Sequence, residues 1–361
     1  MRILFVAPGI HTPYTEGRKR FVLDLLTEMS TEDDIFLLTT RIKDSETNVP
    51  VAVKSIKSGR GARPLFHLLK CLPGVVREFN PDHVLLFPYG TFRHVYGLAS
   101  LGFMMGVDKI CQHYGVRCHT ILYSVDEYGD IDRISGRLSD LVVVSNPSQE
   151  RGAIHLGLNC HNWPTVEVSD SDGLNLLFLA GMWEPNVKRV EHVIQVRGLG
   201  QLLAMGNILS KQGVRLIAAA PLFASATCRD YVRHHKLNTW PEENLILRAE
   251  VDVPAIYFDA DMFVFPYARE IRHFIPTSIL ESMLSGTCVA LSNCSFLQPL
   301  SNSGKTAFVF PLNQPEKAAK ILLDALCDSA ELKRKADNAR QWVLNEWCVE
   351  RSANQIRSLL R

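Results

Sequence analysis

"ADMFVFPYAREIRHFIPTSILESMLSGTCVALS", Ala260–Ser292, reads as strand, loop, helix, strand. The run "ADMFVFPYA" is short, aromatic and apolar, as a buried strand must be. Pro276 followed by Thr277 and Ser278 marks a helix start, since proline loses no bond at the first helical position and the hydroxyls can serve orphan backbone N–H groups. The spacing predicts a helix beginning near Ile275 to Thr277, with Ile279, Leu280, Met283 and Leu284 on its apolar face. Gly286 closes it, and "TCVALS" is the next buried strand. One residue is out of character. Glu281 places an acid in the first turns of an apolar helix, near the positive end of its dipole. It is either a carboxylate turned to solvent or a functional group.

The same alternation extends both ways along the 361 residues. Upstream come "RILFVAP", "GRKRFVLDLLTEMS", "IFLLTT", "PLFHLLKCLPGVVREF", "HVLLFP", "TILYSV" and "LVVVS". The pattern then pauses in "LGLNCHNWPTVEVSDSDGLN", a polar stretch with Pro and Gly that reads as a linker ending near Asn175. It resumes with "LLFLAG", "KRVEHVIQVRGLGQLLAMGNILSKQ", "VRLIAAAP", "CRDYVRHHKL", "LILRAEV" and "VPAIYFDA", and after the opening stretch with "AFVFP". Strands alternating with helices predict parallel sheets of the doubly wound α/β class. The length suits two domains of this kind. In such sheets ligands sit beyond the carboxyl ends of the strands, so two domains face to face would leave a cleft there, with Glu281 pointing at it. From Pro315 onward the spacing of Ala, Leu, Ile and Trp is helical throughout.

Composition narrows the function. A net charge of +1 gives no basic excess for nucleic acid and no acidic tail. The opening "MRILFVAP" is a strand rather than a signal peptide, and no apolar run reaches membrane-spanning length, so a soluble cytoplasmic protein is expected. Nine cysteines without CxxC or His/Cys spacing for a metal suggest buried reduced thiols, Cys288 and Cys294 among them as packing residues.

Two strand-to-helix loops carry candidate chemistry. In "MWEPNVKRVEHVI", Lys188 and Arg189 open a helix; a cation pair beside helix N–H donors suits a diphosphate, and equally a solvated basic loop. "PGIHTPYTEGRKR" lacks both the GxGxxG and the GK[ST] pattern, so neither NAD nor ATP is implied. Gly17 in it either lets backbone approach a phosphate or acceptor, or relieves the turn. "RPLFHLLKCLPGVVREF", Arg63–Phe79, mixes apolar and cationic residues. Pro73 and Gly74 are expected to break it, leaving an ordinary sheet-packed helix or a basic apolar surface for a lipid-linked acceptor.

The second half resembles the donor domain of retaining GT-B glycosyltransferases of family 4, the glycogen synthase-like and mannosyltransferase-like group. The likeness runs over most of residues 174 to 361, through "LLFLAGMWEPNVKRVEHVI", "PAIYFDADMFVFPYA", "HFIPTSILESMLSGTCVALS", "GKTAFVFPLNQPEKAAKIL" and "NARQWVLNEWCVERSANQI", in the family's order. The first half is similar more loosely, through "YTEGRKRFVLDLL" and "SDLVVVSNPSQERG".

The resemblance implies a GT-B fold. Residues 1–168 would form an acceptor-side Rossmann-like domain, 174–340 a nucleotide-sugar domain, and 341–361 a helix packing back on the first. It implies transfer of a sugar from a nucleotide sugar, UDP- or GDP-linked, to a glycan, lipid-linked or small acceptor. The anomeric configuration would be retained, with no cofactor and no essential metal; "SDSD" at 169–172 belongs to the linker. Glu281 takes the place of the family's ribose-binding glutamate and Lys188 that of its diphosphate lysine, with Arg189 beside it. Gly181 and the backbone donors of Ile275, Thr277 and Ser278 would complete the phosphate cradle, and Gly17 would serve the acceptor-side loop.

The chain departs from the family pattern at three places. His273 stands eight positions before Glu281 where the family has its first glutamate; Met182 follows Gly181 in place of the phosphate arginine; and Asp126 replaces the first-domain histidine. Asp126, His273 and Lys188 are nonetheless the expected catalytic residues, with Arg189, Arg269 or Arg272 standing in for the missing arginine. The alternatives are a catalytically inactive nucleotide-sugar- or partner-binding protein, and another GT-B enzyme such as a nucleotide-sugar epimerase.

Overall fold

A computed structural model describes residues 1–10, 17–40, 49–56, 63–88, 95–122, 138, 140–145, 154–155, 157–161, 163–164, 174–180, 187–220, 225–234, 238–249, 252–253, 255–268 and 276–361. The chain forms two compact units, Met1–Asn159 with Trp347–Arg361, and Cys160–Glu346.

Unit 1 is built on seven parallel strands: β1 Arg2–Val6, β2 Asp34–Thr40, β3 Ala52–Ile56, β4 His83–Leu86, β5 Arg117–Leu122, β6 Leu141–Ser145 and β7 Ile154–His155. Their order is β3-β2-β1-β4-β5-β6-β7, the doubly wound arrangement the alternation predicts. The central strands are apolar on both faces, and β1 and β4 are buried through Ile3–Val6 and Val84–Leu86. Only a parallel sheet covered on both sides makes that requirement. β3 was not legible as an apolar run, because at the sheet edge only β2 pairs with it and its residues stay half-exposed.

Helices Gly17–Met29, Arg63–Phe79 and Val95–His113 cross between these strands. The expected break at Pro73 does not occur; Arg63–Phe79 is one helix with Pro73 inside it. A proline there forfeits one intrahelical bond. Burying Leu68, Leu72, Val75 and Val76 against β1, β2 and β4 residues such as Leu4, Leu38 and Val84 offsets that loss. The opposite face leaves Arg63, His67 and Lys70 exposed, with Phe66 66% exposed among them.

The closing helix, Val349–Leu360, also belongs to unit 1. Its buried Arg357 reaches Asp33 Oδ2 at 2.9 Å and Glu32 Oε1 at 3.2 Å, and donates to the Met29 carbonyl at 3.4 Å. Where the last segment enters, Leu158 N–H donates to Trp347 O at 2.8 Å, and Leu158 O accepts from Val349 N–H at 2.9 Å.

Unit 2 repeats the arrangement with six parallel strands: β8 Asn175–Leu179, β9 Arg215–Ala219, β10 Leu245–Arg248, β11 Met262–Phe265, β12 Cys288–Ser292 and β13 Phe308–Phe310, in the order β10-β9-β8-β11-β12-β13. Its core joins β8, β9 and β11 to the helix Pro315–Leu326 through Phe178, Leu216, Val264 and Leu322.

The stretch from Lys188 to Gln212, expected as one amphipathic segment, is subdivided. Helix Val187–Glu191 passes into a π turn, His192–Val196, and a new helix starts at Leu199. Gly198 makes the break. Its φ of +80° is left-handed, and a Cβ there would lie 1.4 Å from the Pro266 carbonyl oxygen. Backbone passes so close because Ala268 N–H donates to Val196 O at 3.1 Å.

One expectation about the cysteines is corrected. Cys160 and Cys348 each stand in disulfide form, and the other seven are free. Cys288 and Cys294 are buried packing residues, and burial pushes the Cys288 thiol up to about 12.

Candidate functional site

In unit 2, β8 pairs with β9 on one side and with β11 on the other. The strand order reverses there, and ligands collect outside the carboxyl ends of strands at such a point. Two segments leave from it: the one after β8, which leads to Lys188, and the one after β11, which leads to Glu281.

The helix after β11 runs Thr277–Ser285. Pro276 sits one position before it in extended conformation, rather than at its first position, and makes no side-chain cap. Gly286, with φ +82°, ends the helix as expected, its N–H donating to Met283 O and Ser282 O. Ile279, Leu280, Met283 and Leu284 are buried, and so is the acid between them.

Glu281 is 7% exposed, which excludes the solvent-facing reading. A carboxylate removed from water needs partners. Tyr257, on the short 3-10 helix Ala255–Asp259 before β11, brings its hydroxyl 3.0 Å from Glu281 Oε2 and 3.1 Å from Ser278 O. Behind the carboxylate, Ser285 Oγ donates to Glu281 O at 2.9 Å and accepts the Trp163 indole N–H at 2.7 Å. Thr287 Oγ1 donates to Tyr257 O at 2.9 Å, and the Trp163 and Tyr257 rings lie 6.5 Å apart.

Beyond the end of β11, Tyr267 stacks on Phe265 at 4.7 Å and meets Phe296 edge-on at 5.5 Å. Burial holds its phenol above the usual tyrosine range, against the opposing charge of nearby Arg197.

The expected residues fall on separate elements. Glu281, Thr277 and Ser278 share one helix, with Thr277 and Ser278 half-buried in its first turn, where backbone N–H groups lack intrahelical acceptors. Lys188 is exposed in the short helix after β8, and the backbone of Arg189 follows it there. Gly17 begins the first helix of unit 1. Asp126, Gly181, Met182, Arg269, Arg272, His273 and Ile275 lie outside the described residues. Among the described residues no group of three or more His, Cys, Asp or Glu side chains is placed to hold a metal ion. Nor is any described helix long and apolar enough to cross a membrane.

Sequence reasoning missed Tyr257, Ser285 and Trp163. A signal existed for the third: a tryptophan in an otherwise polar linker is costly to leave in water, and Trp163 is buried.

Residues 173–328, within unit 2, match the family model described as "Glycosyl transferases group 1". No curated protein matches the chain. Solved structures are similar over the whole length. A sucrose-phosphate synthase from Thermosynechococcus elongatus aligns with a TM-score of 0.71 at 14% identity, covering 99% of this chain and 98% of that one. The Anabaena protein Alr3699/HepE in complex with UDP aligns with a TM-score of 0.71 at 13% identity, over 100% and 99%. A glycosyltransferase from Rickettsia africae ESF-5 aligns with a TM-score of 0.68 at 13% identity, over 99% and 97%. The fold is therefore that of the GT-B glycosyltransferases, two parallel-sheet α/β domains.

Proposed function

We propose that the chain is a glycosyltransferase that takes a sugar from a nucleotide sugar, UDP- or GDP-linked, and passes it to a glycan, lipid-linked or small acceptor with retained configuration and without a metal. The observation that carries this reading is the match of residues 173–328 to group 1 glycosyl transferases, laid over the sheet whose switch point leads to Lys188 and Glu281. The UDP bound in the Anabaena relative is consistent with it.

In this reading Glu281 accepts bonds from the ribose hydroxyls. An ionised carboxylate has about four acceptor sites, so the Tyr257 hydroxyl does not exhaust it. The N–H groups at the start of Thr277–Ser285, with those of Ile275 and Gly181, have the role of binding the diphosphate. Lys188 and Arg189 stabilise the charge that builds on the leaving diphosphate, an interaction stronger in the transition state than in the ground state. His273 and Asp126 act at the transferred sugar, and Gly17 on the acceptor side. The test is slow hydrolysis of a panel of UDP-, GDP- and ADP-sugars by purified protein, with and without chelator, the anomer released being read by NMR. Turnover of at least one donor in the presence of chelator, with retention, is expected. Activity that disappears with chelator and returns with manganese would overturn the metal-free mechanism.

A second reading has one specific ground. Met182, His273 and Asp126 all depart from the family pattern. A protein that binds nucleotide sugars without turning them over would bind in that panel and hydrolyse none of them.

The acceptor side has a physical lead as well. Phe66, Arg63, His67 and Lys70 form one exposed face of the helix Arg63–Phe79, an apolar tip flanked by the cations Arg63 and Lys70 that suits an anionic lipid surface. Sedimentation with phosphatidylglycerol vesicles, but not with phosphatidylcholine vesicles, is expected, and equal recovery with both refutes the contact.

A further inference from the structure

We propose that Tyr257 is the positioning residue of Glu281, and that Ser285 and Trp163 hold the helical turn from which that carboxylate projects. The role presupposes the ribose reading of Glu281 given above.

A glutamate side chain has three rotatable bonds. A ligand that needs two hydroxyls met at once must have those bonds fixed beforehand, or it loses affinity in ordering them. Tyr257 supplies the constraint: its hydroxyl lies 3.0 Å from Glu281 Oε2, and its ring is fully buried. With one proton to give, the hydroxyl lies in reach of both the carboxylate and the Ser278 carbonyl 3.1 Å away, and a carboxylate is the stronger acceptor of the two.

The backbone is fixed separately. Ser285 Oγ links Glu281 O at 2.9 Å to the Trp163 indole at 2.7 Å, so each neighbour of the serine is satisfied through it. Trp163 lies three residues past the start of unit 2 at Cys160, and its ring also approaches that of Tyr257. The two constraints act on one residue, Tyr257 on the carboxylate and Ser285, itself held by Trp163, on the backbone carbonyl. A lone packing contact would need neither hydrogen bond.

The quantity to measure is discrimination: the ratio of dissociation constants for UDP, GDP and ADP against their 2′-deoxy counterparts, by titration calorimetry. A ratio of affinities is unmoved by the fraction of protein folded, so a merely structural role leaves it unchanged. Wild type is expected to favour the ribonucleotide of its own base by about tenfold or more, and Glu281→Gln to lose most of that preference. Tyr257→Phe, which keeps the ring and removes only the hydroxyl, is expected to reduce the ratio roughly three- to tenfold. The double variant should lose no more than Glu281→Gln alone, as coupled residues do. If Tyr257→Phe does not fold, Ser285→Ala and Trp163→Phe provide the second route, each lowering the ratio while leaving deoxynucleotide binding near wild type. A ratio unchanged in every folded variant of this set, with Glu281→Gln diminished, overturns the positioning role alone. A wild type without nucleotide binding, or without discrimination, overturns the ribose reading and the positioning role with it.

Discussion

Asp24 and His83 pull the stability of unit 1 in opposite directions as pH changes. Asp24, on helix Gly17–Met29, is held up at about 6, first by burial and then by the nearby Glu350 charge; Arg20 and a backbone bond from Asn159 oppose this without prevailing. A carboxyl whose folded pKa lies above its unfolded value of 3.8 favours the fold while protonated, and that contribution disappears as pH rises from about 4 through about 6. Above that window the ionised Asp24 weakens unit 1 by roughly 2 to 3 kcal/mol. Asp24→Asn should remove the slope: at pH 7.5 the variant should be the more stable by up to that amount in urea unfolding, and near pH 4 the two should coincide. A constant difference from pH 4 to 7.5 would refute the assignment.

His83 acts the other way. Its ring nitrogen lies 3.2 Å from His119, which in turn bonds Asp140. Burial, then the His119 charge, holds its pKa below the ordinary 6.5, with Arg117 and the N-terminal ammonium lowering it further and Asp82 opposing. Unit 1 therefore loses stability from this residue as pH falls below 6.5. The Asp24→Asn protein keeps that loss.

Among elements, the π turn His192–Val196 and the break at Gly198 show how far local pattern reaches. The apolar spacing of "KRVEHVIQVRGLGQLLAMGNILSKQ" was legible as helical; its subdivision was not, because Gly198 takes its conformation from Pro266, which stands 68 positions later. A left-handed alanine costs about 1 to 2 kcal/mol, and at Gly198 a Cβ meets the Pro266 carbonyl besides. Gly213 provides the control, with φ +77° and nothing within 4 Å of the added carbon. Gly213→Ala should cost about 1 to 2 kcal/mol, and Gly198→Ala at least about 3 kcal/mol, both measured by urea unfolding. Equal costs would mean the backbone around Pro266 gives way freely. The candidate site divides likewise. Glu281 is visible from its own helix, whereas its partner Tyr257 is 24 positions away and Trp163 is 118, and only the tertiary fold brings them together. β1, β2, β4 and β12 could be read directly, because strands buried on both faces are apolar along most of their length; β3 and the two-residue β7 carry no such obligation.

At the scale of the molecule, both sheets follow the same strand order, and all the strand pairs within them are parallel. Each pairing closes only after an intervening crossover has been made, so the loop-closure entropy is met before the contacts return it. The two units differ in strand number and in continuity: Cys160–Glu346 is a single continuous stretch, while the other unit draws on both ends of the chain. On a ribosome the second unit has all its residues before the first does. Until Val349–Leu360 emerges, Asp33 lacks Arg357, and the apolar residues against which this helix packs stay exposed. Translation order therefore inverts the order of the sequence: the unit that begins first is the last to be completed.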